Sequence, residues 1–360
     1  MQVEKEKILV VLPNHLGDVV MATPALRSLR AGHPDAQIAV LVRERLAGVL
    51  GGCPWIDRIH THTLYETSRG LRRILRRIAL GRAFRGASSV VVLPNSFSGA
   101  LLAVATGAPR RIGYRRGGRA WLLSDALPPP RENGRPVPVA MERYYLDLVR
   151  PLGCPDTGTG LELFTEPEAE AACERLLASH GIDGERPLVC LAPGAGYGPA
   201  KIWPLPYVAE FAAKLQADGV ALALVHGPGE EALADEICAR CSPPPARLGG
   251  EAMDLARLKS VISRASLLVC NDAGARHIAA AFRVPALVLM GPTSLRYTNL
   301  NLERTRLLRE PVECSPCQLK VCPIDHRCMT RLRPSRVLEE ARAALRDESW
   351  RGDVELELRS

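Results

Sequence analysis

The sequence predicts an α/β protein built from two doubly wound parallel sheets. Three observations carry that prediction. Short, near-continuous apolar runs of strand length alternate with helical stretches, the pattern of parallel strands covered on both faces. The same alternation occurs in each half of the chain. A length of 360 residues suits two domains of ordinary size better than one.

In the first half, Ile8 to Leu12, Gln37 to Val42 and Ser89 to Leu93 are the predicted strands, with a helix over Val19 to Arg30. This is βαβ logic. Around Pro128-Pro129-Pro130 to Pro138 the composition turns to proline and polar residues, which predicts an extended linker or crossing segment. A helix from about Met141 to Leu152 follows. In the second half, Leu188 to Ala192, Ala221 to Val225, Leu267 to Cys270 and Ala286 to Met290 are predicted strands. Helices are predicted near Pro206 to Ala217, Glu230 to Cys241 and Leu255 to Arg264. A final helix, Pro334 to Arg346, can pack on either domain. The domains are accordingly placed at 1–155 and 156–333, with a helix and tail over 334–360. Two such domains facing each other make a cleft between the carboxyl ends of their strands, the usual ligand site of this architecture.

Four segments carry candidate chemistry. Leu268-Val269-Cys270-Asn271-Asp272-Ala273-Gly274-Ala275-Arg276-His277 leads from a strand through a tight turn into a helix, and Gly291-Pro292-Thr293 ends the next strand. A helix start there offers free amide hydrogens and a positive dipole end to a phosphate, unless Asp272 simply caps it. Pro13-Asn14-His15-Leu16-Gly17-Asp18-Val19 follows the first strand, and Asp18 there is either an N-cap or a general base at the cleft mouth. Gly-x-Gly-x-x-Gly is missing, so this is no dinucleotide fingerprint. Pro193-Gly194-Ala195-Gly196-Tyr197-Gly198-Pro199-Ala200-Lys201 lets backbone approach phosphates, with Lys201 as a point charge or a solvated loop lysine. It is not a Walker A loop. Finally, Glu230 and Glu231 either complement a helix dipole or accept a ribose hydroxyl pair.

The formal charge, 47 minus 39, is +8, with arginine favoured over lysine. Arg69, Arg72, Arg73, Arg76, Arg77, Arg82 and Arg85 form one cluster, and Arg110, Arg111, Arg115, Arg116 and Arg119 another. Solvated helix faces account for some of these. Aromatics are only 4% of the chain and no nucleic-acid motif accompanies the arginines, so an anionic lipid surface or phosphorylated glycan suits them better than nucleic acid. The charged start and the lack of a long apolar run predict a soluble, unexported protein. Eleven cysteines in such a chain are expected to be reduced. Cys190 and Cys270 lie in strand-like runs as small buried thiols. Cys314, Cys317, Cys322 and Cys328 form C-x2-C-x4-C-x5-C, with His326 among them, which resembles a structural zinc or iron site. Reduced thiols packing a loop, or an oxidised pair, are the alternatives.

Together, the Asn14 to Leu26 segment, Val92-Leu93-Pro94-Asn95-Ser96-Phe97, Pro193-Gly194-Ala195 through Trp203-Pro204, and Asn271-Asp272 through Gly291-Pro292-Thr293 resemble glycosyltransferase family 9. These are the ADP-heptose:lipopolysaccharide heptosyltransferases, and the chain is most similar to their heptosyltransferase II branch. The resemblance spans nearly the whole length. It implies a GT-B fold, two Rossmann-like doubly wound domains facing across a cleft, with acceptor on the first domain and nucleotide sugar on the second. It implies transfer of L-glycero-D-manno-heptose from ADP-heptose to the heptosyl-Kdo inner core of lipopolysaccharide, with inversion and no cofactor required for catalysis.

By that resemblance Asp18 matches the catalytic aspartate and Lys201 the phosphate-binding lysine. Asp272 and Gly274 match the pyrophosphate and sugar loop, and Glu230 or Glu231 falls where the ribose is held. Gly17, Gly194, Gly196, Tyr197, Ala273, Arg276, His277 and Thr293 complete the expected substrate-binding set. No Asp-x-Asp motif is present, so the positive loop would stand in for a divalent ion on the leaving diphosphate. The arginine clusters would draw a cytoplasmic enzyme to anionic lipid at the inner face of the inner membrane. Two departures stand out: Ala273 replaces the family's Ser or Thr, and Arg276 stands where Met is frequent. Arg276 can supply a charge in place of the lost hydroxyl, or face the acceptor. Another donor or acceptor, and a nucleotide-sugar-binding protein without turnover, are the rival readings.

Overall fold

The computed structural model describes residues 5–64, 70–250 and 253–347. It divides into two compact units, Met1–Phe164 with Arg296–Leu300, and Thr165–Leu295 with Asn301–Ser360. The first unit's sheet comprises β1 (Lys7–Val11), β2 (Gln37–Arg43), β3 (Arg58–His62), β4 (Ser89–Val92), β5 (Arg110–Tyr114) and β6 (Asp125–Leu127). Their order is β3-β2-β1-β4-β5-β6 and every pairing is parallel. The connection reverses direction between β1 and β4, which is where such a sheet opens a crevice at its carboxyl edge. Asp18 follows β1, and Asn95 follows β4.

Two short strands come next, β7 (Arg131–Glu132) and β8 (Arg135–Pro136), paired antiparallel. They lie inside the stretch expected to be an extended linker. Asn133 and Gly134 between them adopt φ of 48° and 76°, the left-handed pair that closes a two-residue hairpin. The second unit repeats the first with β9 (Leu188–Ala192), β10 (Ala221–Val225), β11 (Ala246–Leu248), β12 (Leu267–Asn271), β13 (Ala286–Leu289) and β14 (Thr305–Leu308). Its order, β11-β10-β9-β12-β13-β14, is again wholly parallel.

Alternating residues of the second sheet, such as Val189, Leu191, Leu222, Leu224, Val269 and Leu287, face one core. Helices Leu205–Ala217, Glu231–Ala239 and Pro334–Arg346 cover it with Phe211, Leu215, Ile237, Val337 and Leu338. The last helix therefore packs on the second unit. Cys190 and Cys270 face the other side, fully buried as expected, and burial pushes both thiols up to about 12.

Three elements differ from the expectation, each for a physical reason. The helix expected over Val19 to Arg30 is two helices, Leu16–Met21 and Thr23–Gly32. Pro24 has no N–H for the Val20 carbonyl, and the Thr23 hydroxyl donates to that oxygen instead, at 2.8 Å. The strands absent from the sequence reading, β3, β5, β6, β11 and β14, lie toward the sheet edges. Arg58, Arg110 or Arg306 interrupts the apolar run in three of them. The first unit also extends past residue 155 to Phe164. Arg27 donates to the carbonyls of Thr157, Gly158 and Gly160 and pairs with Glu162, while Phe164 packs edge-on against Trp55 at 5.3 Å.

Helices Gly70–Arg82 and Phe97–Ala105 meet at Gly81, where a Cβ would lie 2.5 Å from the Leu102 carbonyl oxygen. The contact is with backbone, so it has little room to relax. Gly81→Val is expected to cost about 1–3 kcal/mol of stability. The check is a lower urea midpoint at unchanged slope; an unchanged midpoint would show that the helices separate freely.

Candidate active site

The chemistry of the second unit gathers on Asp272, the residue after β12. Its backbone N–H donates to the Leu289 carbonyl, continuing the ladder, so the side chain is fixed at the carboxyl edge of the sheet. Lys201 Nζ donates to Asp272 Oδ2 at 2.8 Å and to the Asp272 carbonyl at 2.6 Å. Thr293 Oγ1, just past β13, donates to Oδ2 at 2.6 Å, and Arg276 Nη1 donates to Oδ1 at 2.7 Å. All three partners of the carboxylate therefore come from sequence-predicted site residues. Asp272 is 8% exposed and Arg276 3%. Burial alone would raise the Asp272 carboxyl, but Arg276 and Lys201, with the bonds from Lys201 and Thr293, hold it well below the usual carboxylate range. Two cations on one carboxylate leave a net positive charge, suited to an anionic ligand.

Asn271, the last residue of β12, fixes the glycine loop. Its Nδ2 donates to the Pro193 carbonyl at 2.5 Å, and its Oδ1 accepts from the Trp203 N–H at 3.3 Å. Both ends of the loop are thus tied to the strand that carries Asp272. Trp203 is buried, and its indole N–H donates to the Leu332 carbonyl at 2.8 Å, so the loop exit is packed. Gly198 is required because a Cβ there would lie 2.5 Å from the Lys320 carbonyl oxygen. Tyr197 is exposed, with its ring 5.0 Å from Lys201 Nζ and 5.7 Å from Lys320 Nζ. Lys320 carried no signal in the sequence because it sits over a hundred positions from the loop it meets. The Glu230 carboxylate lies over Gly194, where any Cβ would collide with it, and accepts from the Gly227 N–H at 2.9 Å. Glu231 instead opens the following helix. Gly196 is exposed within the same loop.

The helix Gly274–Ala281 has Ala273 as its N-cap, with no side-chain cap bond. Asp272 does not cap it, because the carboxylate is taken up by Lys201, Arg276 and Thr293. Alanine cannot replace it, so no side chain caps the first-turn amides. Arg276 turns back from this helix onto Asp272 and is buried. His277, beside it, is buried as well. Burial, then Arg276, pushes its pKa down to about 3, leaving a neutral ring.

In the first unit, Asp18 lies in the opening turn of the helix Leu16–Met21, one residue after Gly17. The N-cap is His15, so Asp18 is not the cap. Its Oδ1 accepts from the Tyr145 hydroxyl at 3.1 Å. Burial raises the Asp18 carboxyl, the Tyr145 bond and nearby His15 pull against it, and the net direction is upward. Tyr145 is a partner the sequence reading missed, since it comes from a helix far along the chain.

The basic clusters separate by role. Arg119 is fully buried, donating to the carbonyls of Tyr114, Pro94 and Ser96, and Arg110 pairs with Asp125. Arg115 and Arg116 are exposed. Arg69 lies outside the described residues. The four cysteines Cys314, Cys317, Cys322 and Cys328 line one small apolar cavity with His326, and all are free thiols. Among the described residues, however, no three His, Cys, Asp or Glu side chains are placed to hold a metal ion. Cys317 is exposed, whereas Cys328 is buried beside Gly291, and His326 Nε2 is engaged with the Ala200 carbonyl at 2.7 Å.

Two parallel units of identical strand order, with a cation-bearing glycine loop at the switch point of one, are the architecture of the GT-B fold. Residues 77–327 match glycosyltransferase family 9 (heptosyltransferase). The chain belongs to that family. It is 30% identical to lipopolysaccharide heptosyltransferase 2 of Escherichia coli K12, over 95% of this chain and 99% of the relative. It is 31% identical to the Salmonella typhimurium LT2 protein of the same name, with the same coverage. The solved structure of E. coli ADP-heptose lps heptosyltransferase II superposes with a TM-score of 0.78 at 27% identity, covering 96% of this chain and all of that one.

Two outcomes follow from the Asp272 cluster. Asp272→Ala leaves two inward-facing cations without their shared carboxylate and is expected to cost roughly 3–5 kcal/mol in chemical denaturation; a loss below about 1 kcal/mol would mean the cluster relaxes into water. His277 binds a proton near 6.5 when unfolded but only near 3 when folded, so the unfolded chain takes up more protons between those values. Stability therefore falls as pH drops from about 6.5 toward 3. His277→Gln is expected to flatten that limb in thermal unfolding, and a limb unchanged in slope would assign it elsewhere.

Proposed function

We propose that this chain transfers L-glycero-D-manno-heptose from ADP-heptose to the heptosyl-Kdo inner core of lipopolysaccharide, inverting the anomeric centre. The observation that carries the reading is its identity, along nearly the whole length, to two lipopolysaccharide heptosyltransferases 2. The site chemistry supports it. Inversion needs one base, and Asp18 takes that role, accepting the proton of the acceptor hydroxyl as its oxygen attacks the anomeric carbon. The bond from that carbon to the diphosphate breaks, and ADP departs with the electron pair. Lys201 and the uncapped start of Gly274–Ala281 stabilise the charge that grows on the diphosphate. Asp272 and Thr293 position Lys201; Glu230, on the loop after β10, is assigned to the ribose.

The acceptor is a membrane glycolipid, so the enzyme is assigned to the cytoplasmic face of the inner membrane as a peripheral protein. No helix among the described residues is long and apolar enough to cross a membrane. The exposed arginines of the first unit suit an anionic surface.

Mass spectrometry of products from a donor and acceptor panel tests the reading, with heptosylated core expected from ADP-heptose and a heptose-deficient acceptor. A different preferred donor would overturn the sugar assignment. Asp18→Asn is expected to lower the rate by about 10²–10⁴-fold with donor binding intact, and near-normal turnover would remove Asp18 as base. Because burial raises Asp18, the acidic limb of kcat/KM is expected above the ordinary aspartate range. The Tyr145 bond lowers that pKa, so Tyr145→Phe should move the limb to still higher pH; no movement would leave Tyr145 a packing residue only.

A further inference from the structure

We propose that the helix Gly70–Arg82 is a docking element for an anionic lipid bilayer. This rests on the reading of the protein as an enzyme that meets its acceptor at a membrane. Leu71, Ile74 and Leu75 fall at i, i+3 and i+4, so they share one face, and they are 70%, 41% and 58% exposed. A soluble helix ordinarily turns such a triad to the core. Here the buried residues of the helix are instead Arg77 and Gly81, with Gly81 set against the backbone of Phe97–Ala105. Its C-terminal part also packs Leu80 against the sheet core, whereas the N-terminal triad is left outward.

Charge defines what covers that face. Arg72, Arg76 and Arg82 are exposed beside the triad. From Gly70 to Ser124 the sequence holds eleven arginines and no aspartate or glutamate, a strongly positive stretch. Nucleic acid would match the arginines but not the aliphatic triad, and the helix has no aromatic side chain for base stacking. A bilayer with anionic headgroups matches both, taking the aliphatic tips below the headgroups and the guanidinium groups among the phosphates. At 13 residues the helix spans about 20 Å, too short to cross a bilayer, so it lies in the plane of the surface. In the same unit, Trp121 is 74% exposed and 6.1 Å from Phe97, an aromatic pair of the kind found at membrane interfaces.

Vesicle flotation tests this without donor or glycolipid acceptor. The full chain is expected to float with phosphatidylcholine vesicles containing about one third phosphatidylglycerol and to stay behind with phosphatidylcholine alone. Leu71→Ser with Ile74→Ser and Leu75→Ser, and separately Arg72→Glu with Arg76→Glu, should each weaken binding by more than about ten-fold. Transfer to a soluble, delipidated core acceptor should stay at the parent's rate in both variants. Absence of flotation by the parent chain, or binding unchanged in either variant, would overturn the proposal. Failure of heptose transfer by the parent chain would instead strike the proposed activity and leave the vesicle result standing.

Discussion

The carboxylate of Asp272 is the interaction on which the second unit's site depends. It is buried at the end of β12 and holds Lys201, Arg276 and Thr293 at 2.6–2.8 Å. Burial works against its ionised form, so the carboxylate persists only because two cations and a hydroxyl surround it. The dependence is mutual. Lys201 on its flexible stem would otherwise sample many positions, and a phosphate-binding charge is useful only where it is already aimed. Breaking the carboxylate therefore affects both stability and the placement of positive charge.

Asn271 links this electrostatic centre to the loop. By accepting from Trp203 and donating to Pro193, it spans the loop from entry to exit and leaves the middle, with Gly196 and Tyr197, exposed. Ala273 belongs to the same logic. Serine or threonine at that position could cap its own helix, whereas alanine leaves the first turn open to a ligand's oxygens. The loss of one hydroxyl is thus compatible with anion binding, and the Arg276 charge is turned inward onto Asp272.

The first unit places its carboxylate differently. Asp18 has no cation in hydrogen-bond contact in the described structure; its buried setting raises its affinity for a proton, and the bond from the Tyr145 phenol offsets that only in part. Opposite shifts on Asp18 and Asp272 suit opposite tasks, one accepting a proton and one holding charge. Arg119 shows how the same composition serves structure. It is fully buried beneath the loop after β4, satisfying carbonyls that no strand reaches.

The central strands were legible in the sequence because both of their faces are buried, which forces continuous apolar runs such as Leu188–Ala192. Edge strands were not, because Arg58 or Arg110 can reach solvent there and the run is broken. Asp18, Lys201, Asp272 and Thr293 were legible as residues at strand ends, and their local motifs fixed which side chains are present. Only the tertiary structure decided what each one touches. Tyr145 meets Asp18 from 127 positions away and Lys201 meets Asp272 across 71 positions, distances over which periodicity carries no information. The four clustered cysteines show the same division: their spacing is local and readable, whereas the burial of Cys328 and the exposure of Cys317 come from packing. Sequence determined the chemical types and the strands that carry them, because hydrophobic pattern and turn residues act locally. Their protonation and pairing were decided by burial and by neighbours brought together through long-range parallel pairing.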